Sequence, residues 1–394
     1  MPPVAEDLRR ALQVLLPAMD LVHARDPSPD PGDARGWGSF LTDLDDPAVT
    51  FAESHGLAAL LDRAPDAPRD LADLARDVTA LRGITPPLEN PSAQPFTAPN
   101  IKARKGMQLD ALLRALRPMA LRAARVVDVG AGSGHLTRLA AARFDADPIG
   151  VERDAERVAF ARALAAGTRA RFEQRDVLRE PLALRPDDLA VGLHACGALG
   201  DHLVAESAAA GASVALVSCC LQKVPGEVRE ARSSQGRDAG LSLPRVVLGL
   251  SNVSERAEGV EATVAQNLAA REARHALAHL LAGRGLTVTA AEAMRGVNRR
   301  RAQQGLDALA HAALTARGLP PATPAELREA RDVAARSFAL TRRRSLPRSM
   351  LARALELTVV LDRAAALEEA GHTVTVREVF AASVSPRNLG IFAG

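Results

Sequence analysis

The sequence predicts an α/β protein. A seven-stranded, mostly parallel sheet ends in an antiparallel hairpin, with a helical N-terminal domain and a helical insertion between strands five and six. Three observations carry this. Short apolar segments alternate with helical ones from residue 125 onward. A glycine cluster follows the first of them. The last two strand-like segments are joined by too few residues for a crossover.

Residues 4 to 22 place Val4, Leu8, Ala11, Leu12, Leu15, Met19 and Val22 at helical spacing, and Pro17 predicts a kink or an end. Residues 26–38 read as a loop from their Pro, Gly and Asp content, and helical pattern resumes from about 47 to 82. Five prolines in residues 83–100 mark a linker, so a helical domain is drawn over 1–95. Strands are then predicted at 125–129, 147–151, 169–173, 188–193 and 213–218, within a core of 96–225. Helical patterns at about 260–283, 304–316 and 324–339 make 226–345 an insertion or lid. Thr323, Pro324 and Glu326 read as a capping box. A helix over 349–369 and strands at 372–378 and 388–393 complete the sheet within 346–394.

Composition narrows the function classes. With 47% hydrophobic and 25% charged residues among 394, the chain reads as an ordinary globular protein with sizeable cores. No apolar run is long enough for a membrane span, and acids stand near the start where a secretory signal needs basic then apolar residues. The expected location is cytoplasmic, with Cys196, Cys219 and Cys220 reduced. A net charge of +3 tolerates a nucleic-acid partner without requiring one. Lysine occurs only at Lys102, Lys105 and Lys223, so these positions stand out against an arginine-rich background. The sequence carries no signal of oligomeric state.

The segment RVVDVGAGSGHL runs from a strand ending at Asp128 through Gly130, Gly132 and Gly134 into a helix. Such a turn lets a ligand approach the backbone closely. A dinucleotide fingerprint wants a small residue where this chain has His135, which disfavours an NAD-dependent oxidoreductase. The spacing G-x-G-x-G after an acid instead resembles the first motif of class I S-adenosylmethionine-dependent methyltransferases, whose sheet is Rossmann-like. Glu152 ends strand two, in place for ribose hydroxyls, and Asp176 follows strand three, in place for an adenine amine. Acids after three successive strands, at the sheet edge where open α/β folds bind ligands, sharpen that reading.

Strand four leads into GLHACGALG and strand five into SCCLQK. The pattern H-x-C-G followed by C-C resembles one methyltransferase-domain family. That family includes eukaryotic methyltransferase-like proteins and is similar to tRNA 2′-O-methyltransferases with a histidine-leucine-cysteine-glycine motif. SVSPRNLGIFA resembles its last strands, and IKARKGMQLD resembles the basic helix before its first strand, with Met107 and Gln108 where the family pattern has a His-Glu pair. The resemblance covers about 98–223 and 350–394. It implies S-adenosyl-L-methionine held by Asp128, Gly130, Gly132, Gly134, Glu152, Asp176 and His194.

Methyl transfer is an in-line displacement, so positioning supplies much of the rate. His194 or Lys223 is the natural base for an acceptor proton, and the alternative for His194 is a hydrogen bond to a loop carbonyl. Cys196 joins them as a candidate catalytic residue. Three readings of the cysteines stand open. His194, Cys196, Cys219 and Cys220 offer four zinc donors, although the spacing is unlike common structural zinc sites, and no metal is expected. A thiolate could attack a pyrimidine, as in RNA 5-methylcytosine methyltransferases, although His194 and Ala195 replace that family's aspartate and proline. The third is small apolar packing.

Arg295, Arg299, Arg300 and Arg301 form one arginine cluster, with Arg295 and Arg299 expected on one helix face. Arg342, Arg343, Arg344 and Arg348 form a second. They predict an RNA partner gripped by charge and shape, against the plainer reading of a solvated face. With 3% aromatic residues and no tyrosine, a base-stacking platform is not expected. The reading is a methyltransferase acting on RNA. Its rivals are a small-molecule methyltransferase and a non-catalytic scaffold that keeps the cofactor site.

Overall fold

The computed structural model describes residues 4–24, 31–81, 101–252, 263–286, 288 and 290–394; the proline-rich segment 83–100 lies outside them. Two compact units form, each discontinuous in sequence. The first takes Met1–His23, Arg76–Ser254 and Leu351–Gly394, the second Ala24–Ala75 and Glu255–Met350. The segments 1–95 and 226–345 drawn from the sequence therefore each contribute to both units.

The first unit carries the sheet. Its strands are β1 (Arg125–Val129), β2 (Asp147–Glu152), β3 (Arg171–Gln174), β4 (Asp188–Leu193) and β5 (Ser213–Val217). A two-stranded hairpin follows, β6 (Val228–Glu230) with β7 (Ser242–Pro244). The chain returns to the sheet as β8 (Val374–Glu378) and β9 (Leu389–Ala393). The spatial order is β3-β2-β1-β4-β5-β9-β8, and β9 alone runs against the rest. The strand order reverses at β1, so the carboxyl ends of β1 and β4 bound the crevice where open α/β sheets take ligands.

Every residue of β4 is buried, as a strand covered on both faces requires. One cover is the helix Ala103–Ala120. It sets Leu109, Leu112, Leu113 and Leu116 at i, i+3, i+4 and i+7 against Val126, Leu189, Val191 and Val217. Burying four leucines contributes roughly 6–12 kcal/mol relative to exposure. The same helix thereby fixes what its other residues present to the ends of β1 and β4.

At the N-terminus, helix Val4–Leu15, a 3₁₀ turn at Leu16–Ala18 containing Pro17, and helix Met19–His23 match the predicted kink. The first helix docks on this unit, its Val4 and Ala5 N–H groups donating to Glu368 at 3.1 Å each. The hairpin β6–β7 was not expected, because three-residue strands are too short to show a period. It belongs to the sheet unit because Arg229, fully buried, donates to Asp201 at 2.9 Å and pairs with Asp362 at 2.9 Å.

The second unit is helical. Its core sets Leu277, Leu280 and Leu281 of helix Val264–Gly283 among Leu309, Ala313 and Ala334. The capping box forms as predicted, with Thr323 and Glu326 opening helix Pro324–Arg344. Three of the four arginines of the second cluster pair with this unit's own acids. Arg342 meets Glu53 at 2.7 Å, Arg343 meets Asp46 at 2.8 Å and Arg344 meets Asp33 at 3.3 Å. Arg295 and Arg299 do not share a helix. Helix Ala290–Ala293 ends before the first, and a 3₁₀ helix, Arg299–Gln304, begins at the second, because Gly296 takes a positive φ and Asn298 caps a new start. No helix among the described residues is long and apolar enough to cross a membrane.

Candidate functional site

The glycine loop leaves β1 at Asp128 and enters helix His135–Arg143 with Gly130, Gly132 and Gly134 all at positive φ. At Gly134 a side chain is excluded twice. Its φ is +70°, and a Cβ would lie 2.4 Å from the Phe172 ring of β3. At Gly132 a Cβ would meet nothing within 4 Å, so this face of the loop is open to a ligand.

Asp128 is buried and accepts from the Thr137 hydroxyl at 2.7 Å. Burial raises its pKa to about 6, against the opposing pull of Thr137 and Lys105. Glu152, at the end of β2, accepts from three backbone N–H groups: Gly132 at 2.9 Å, Arg153 at 2.9 Å and Asp154 at 3.1 Å. A carboxylate has about four acceptor positions, so capacity remains for a hydroxyl. Asp176 stands after β3, one-third exposed, and accepts from the Leu178 N–H at 3.3 Å. The three predicted acids thus stand at the carboxyl ends of β1 and β2 and just after β3, with a direct link between the glycine loop and Glu152. The open glycine face, the anchored Glu152 and the partly exposed Asp176 fit a ligand with a ribose and an adenine.

Beside them lies the β4 turn. His194 has a φ of +71°, a strained conformation for a residue with a Cβ. Its N–H donates to the Val217 carbonyl at 2.8 Å, and the Cys196 thiol donates to its carbonyl at 2.9 Å. The imidazole Nε2 lies 3.0 Å from Gln108 Oε1. With the amide so oriented, Nε2 carries the ring proton and Nδ1 the lone pair. Burial, then Lys105 and Arg104, lowers the His194 pKa to about 4, so the ring is neutral at physiological pH.

Gly197 joins the β4 turn to the β5 turn. Its carbonyl accepts from Arg363 at 2.8 Å, and the next N–H, of Ala198, donates to the Lys223 carbonyl at 2.8 Å. Arg363 is fully buried, and it also donates to Ser218 at 2.7 Å and to Asp201 at 2.8 Å. Two arginines hold the Asp201 carboxyl well below its usual range despite burial. The side chain of Lys223 is exposed. Cys196, Cys219 and Cys220 gather between the turns, with Cys196 Sγ 2.6 Å from Cys219 Sγ. Hydrogen bonds from Cys196 and Cys219, aided by Lys223 and Arg387, hold the Cys220 thiol low, while bonding to the other two pushes Cys219 up.

Sequence reasoning noticed Lys105 and Gln108 without giving them a role in the site, and it missed Arg363. Lys105 faces Asp128 and Cys219, and Gln108 holds the histidine. Their i, i+3 spacing before the first strand was an available signal. Arg363 belongs to an Asp-Arg pair that interrupts the apolar run TVVLDRAAAL.

Residues 104–227 match the family model described as Methyltransferase domain. That segment is similar to a methyltransferase domain. Solved structures give remote matches. One is the SAM-bound amino pentose methyltransferase CalS10 from Micromonospora echinaspora: 25% identity, 28% of this chain, 50% of that chain, TM-score 0.25. Another is coclaurine N-methyltransferase bound to N-methylheliamine and SAH: 9% identity, 54% of this chain, 58% of that chain, TM-score 0.26. The chain thus spans between half and three-fifths of those two proteins. No curated protein matches the sequence.

Proposed function

We propose that the whole protein is an S-adenosylmethionine-dependent methyltransferase whose acceptor is RNA. The carrying observation is the charge division of the site. Asp128, Glu152 and Asp176 stand on the cofactor side, whereas Arg104 and Arg387 act on His194 and Lys223 on Cys220; Lys105 lies between the two, acting on both Asp128 and His194. A cationic surround of this kind suits a phosphodiester backbone. In the second unit Arg295, Arg300 and Arg301 have exposed side chains, which adds to the reading.

The cofactor, when bound, supplies an electrophilic methyl carbon on a sulfonium. Gly130, Gly132 and Gly134 give the ligand access to the backbone, Glu152 takes the ribose hydroxyls and Asp176 the adenine amine. Gln108 orients His194 so that Nδ1 is the acceptor for the nucleophile's proton. A ring with a pKa near 4 is a weak base. It takes that proton only once bond formation has made the acceptor acidic, and until then it orients the nucleophile through a hydrogen bond. Lys223 is exposed and so lacks the burial that would suit it to act as the base; it meets the acceptor's backbone instead.

The test has two steps. Calorimetry with S-adenosylhomocysteine, using Asp128→Ala/Glu152→Ala protein as control, reads the cofactor site. Radiolabelled methyl transfer to RNA, protein and metabolite fractions then reads the acceptor. Label in RNA that falls at least tenfold in Arg104→Ala/Arg387→Ala protein supports the proposal. Label confined to metabolites makes the acceptor a small molecule, and binding without turnover on any fraction makes the protein a scaffold.

A further inference from the structure

We propose that Cys196, Cys219 and Cys220 form a three-thiolate site for zinc(II). The three Sγ atoms all lie within 4.8 Å of one another, and the shortest separation is 2.6 Å, between Cys196 and Cys219. Zinc–sulfur bonds of about 2.3 Å at tetrahedral angles set sulfurs about 3.8 Å apart, so the cluster is of the right size but Cys196 and Cys219 would separate by about 1 Å on binding the metal. The three thiols come from two turns that the fold holds rigidly together. Gly197 allows the β4 turn to lie against the Lys223 carbonyl, where a Cβ would come within 2.1 Å of that oxygen, and Arg363 bonds both turns at once. A site assembled by backbone and buried ion pairs suits a metal better than one on mobile loops.

Charge supports the same ligand. Zinc(II) with three thiolates is a monoanion. Lys105 acts on Cys219, and Lys223 and Arg387 act on Cys220, so the surroundings are cationic enough to carry it. The expected four-donor set loses a member, because His194 commits Nε2 to Gln108 and does not join the cluster. Among the described residues no fourth Cys, His, Asp or Glu completes it. The fourth position therefore falls to a non-protein ligand, the arrangement of a zinc that binds a substrate atom or water.

The experiment uses full-length protein purified under reducing conditions and dialysed against zinc(II). Elemental analysis is expected to give one zinc per chain, held against a chromophoric chelator. Zinc should shield all three thiols from N-ethylmaleimide, read residue by residue by mass spectrometry. Cobalt(II) should give thiolate charge-transfer absorption that Cys219→Ser and Cys220→Ser proteins lose. S-adenosylhomocysteine calorimetry on each variant shows that it is folded and reads the cofactor site independently of the metal. Three maleimide-reactive thiols in the presence of zinc would overturn the proposal. So would less than 0.2 zinc per chain (about a fifth of full occupancy for a single tetrahedral site), or a Cys196–Cys219 disulfide with no zinc uptake after reduction.

Discussion

The burial of Asp128 makes the sheet unit sensitive to pH in a direction opposite to that of most carboxylates. Its pKa moves from 3.8 to about 6, because desolvation outweighs Thr137 and Lys105. The folded state therefore binds a proton more tightly than the unfolded chain does. The stability contributed by this group is complete below pH 4 and is lost as pH rises through about 6. At about 1.4 kcal/mol per unit, a displacement of about two units is worth about 3 kcal/mol. The perturbation is Asp128→Asn, which keeps the shape and removes the titration. The stability of the variant minus that of the wild type should rise by about 3 kcal/mol between pH 4 and pH 7.5. Urea unfolding at each pH, followed by hydrogen exchange of β1 and β2 peptides, reads the sheet unit itself. Trp37, the only tryptophan, lies in the second unit and reports that unit instead. Curves for the two proteins that run parallel over this range would refute the reasoning. The same variant should bind S-adenosylhomocysteine at least tenfold more weakly, so the ionised carboxylate is a stability cost retained for ligand binding.

Three further outcomes are expected. Gly197→Ala should destabilise by about 2–4 kcal/mol, from strain and a displaced hydrogen bond, whereas Gly211→Ala, also at positive φ but with open space around it, should lose about 1–2 kcal/mol; equal urea midpoints would contradict this. Arg363→Met strips one partner each from Asp201, Ser218 and Gly197 and should cost about 3–5 kcal/mol, read by thermal unfolding. Gln108→Leu should lower kcat about tenfold or more with little change in S-adenosylhomocysteine affinity. Gln108→Glu should raise the His194 pKa above about 4 and move the acid limb of the pH–rate profile upward.

The sheet was legible because its signal is local. Four of the five leading strands are short, largely apolar runs with turn residues at their ends, β3 being the polar exception, and β1 and β4 fall where they were predicted, at Arg125–Val129 and Asp188–Leu193. Pro17 and the Thr323 box worked for the same reason. What stayed hidden depends on pairing over long separations. Asp201, Arg229, Asp362 and Arg363 are each unremarkable in sequence, and only the folded chain makes them one buried network. For the second arginine cluster composition shows a charge and not its partner; the fold matches Arg342, Arg343 and Arg344 to Glu53, Asp46 and Asp33. In the site, the acids at the ends of β1 and β2 and after β3 were readable from spacing. Gln108 was visible only as a departure from a family pattern, and its role emerged from the 3.0 Å contact with His194.

The position of β9 bears on how the chain assembles. β9 lies between β5 and β8, yet it is synthesised long after β5, with most of the second unit in between. Until it arrives, β5 presents a bare hydrogen-bonding edge of buried apolar residues, Val214 to Val217. Such an edge invites pairing with another chain. Closure of the sheet is therefore a late event with a long loop to close. The interval before it is when nascent protein is most exposed to misassembly and most dependent on chaperones.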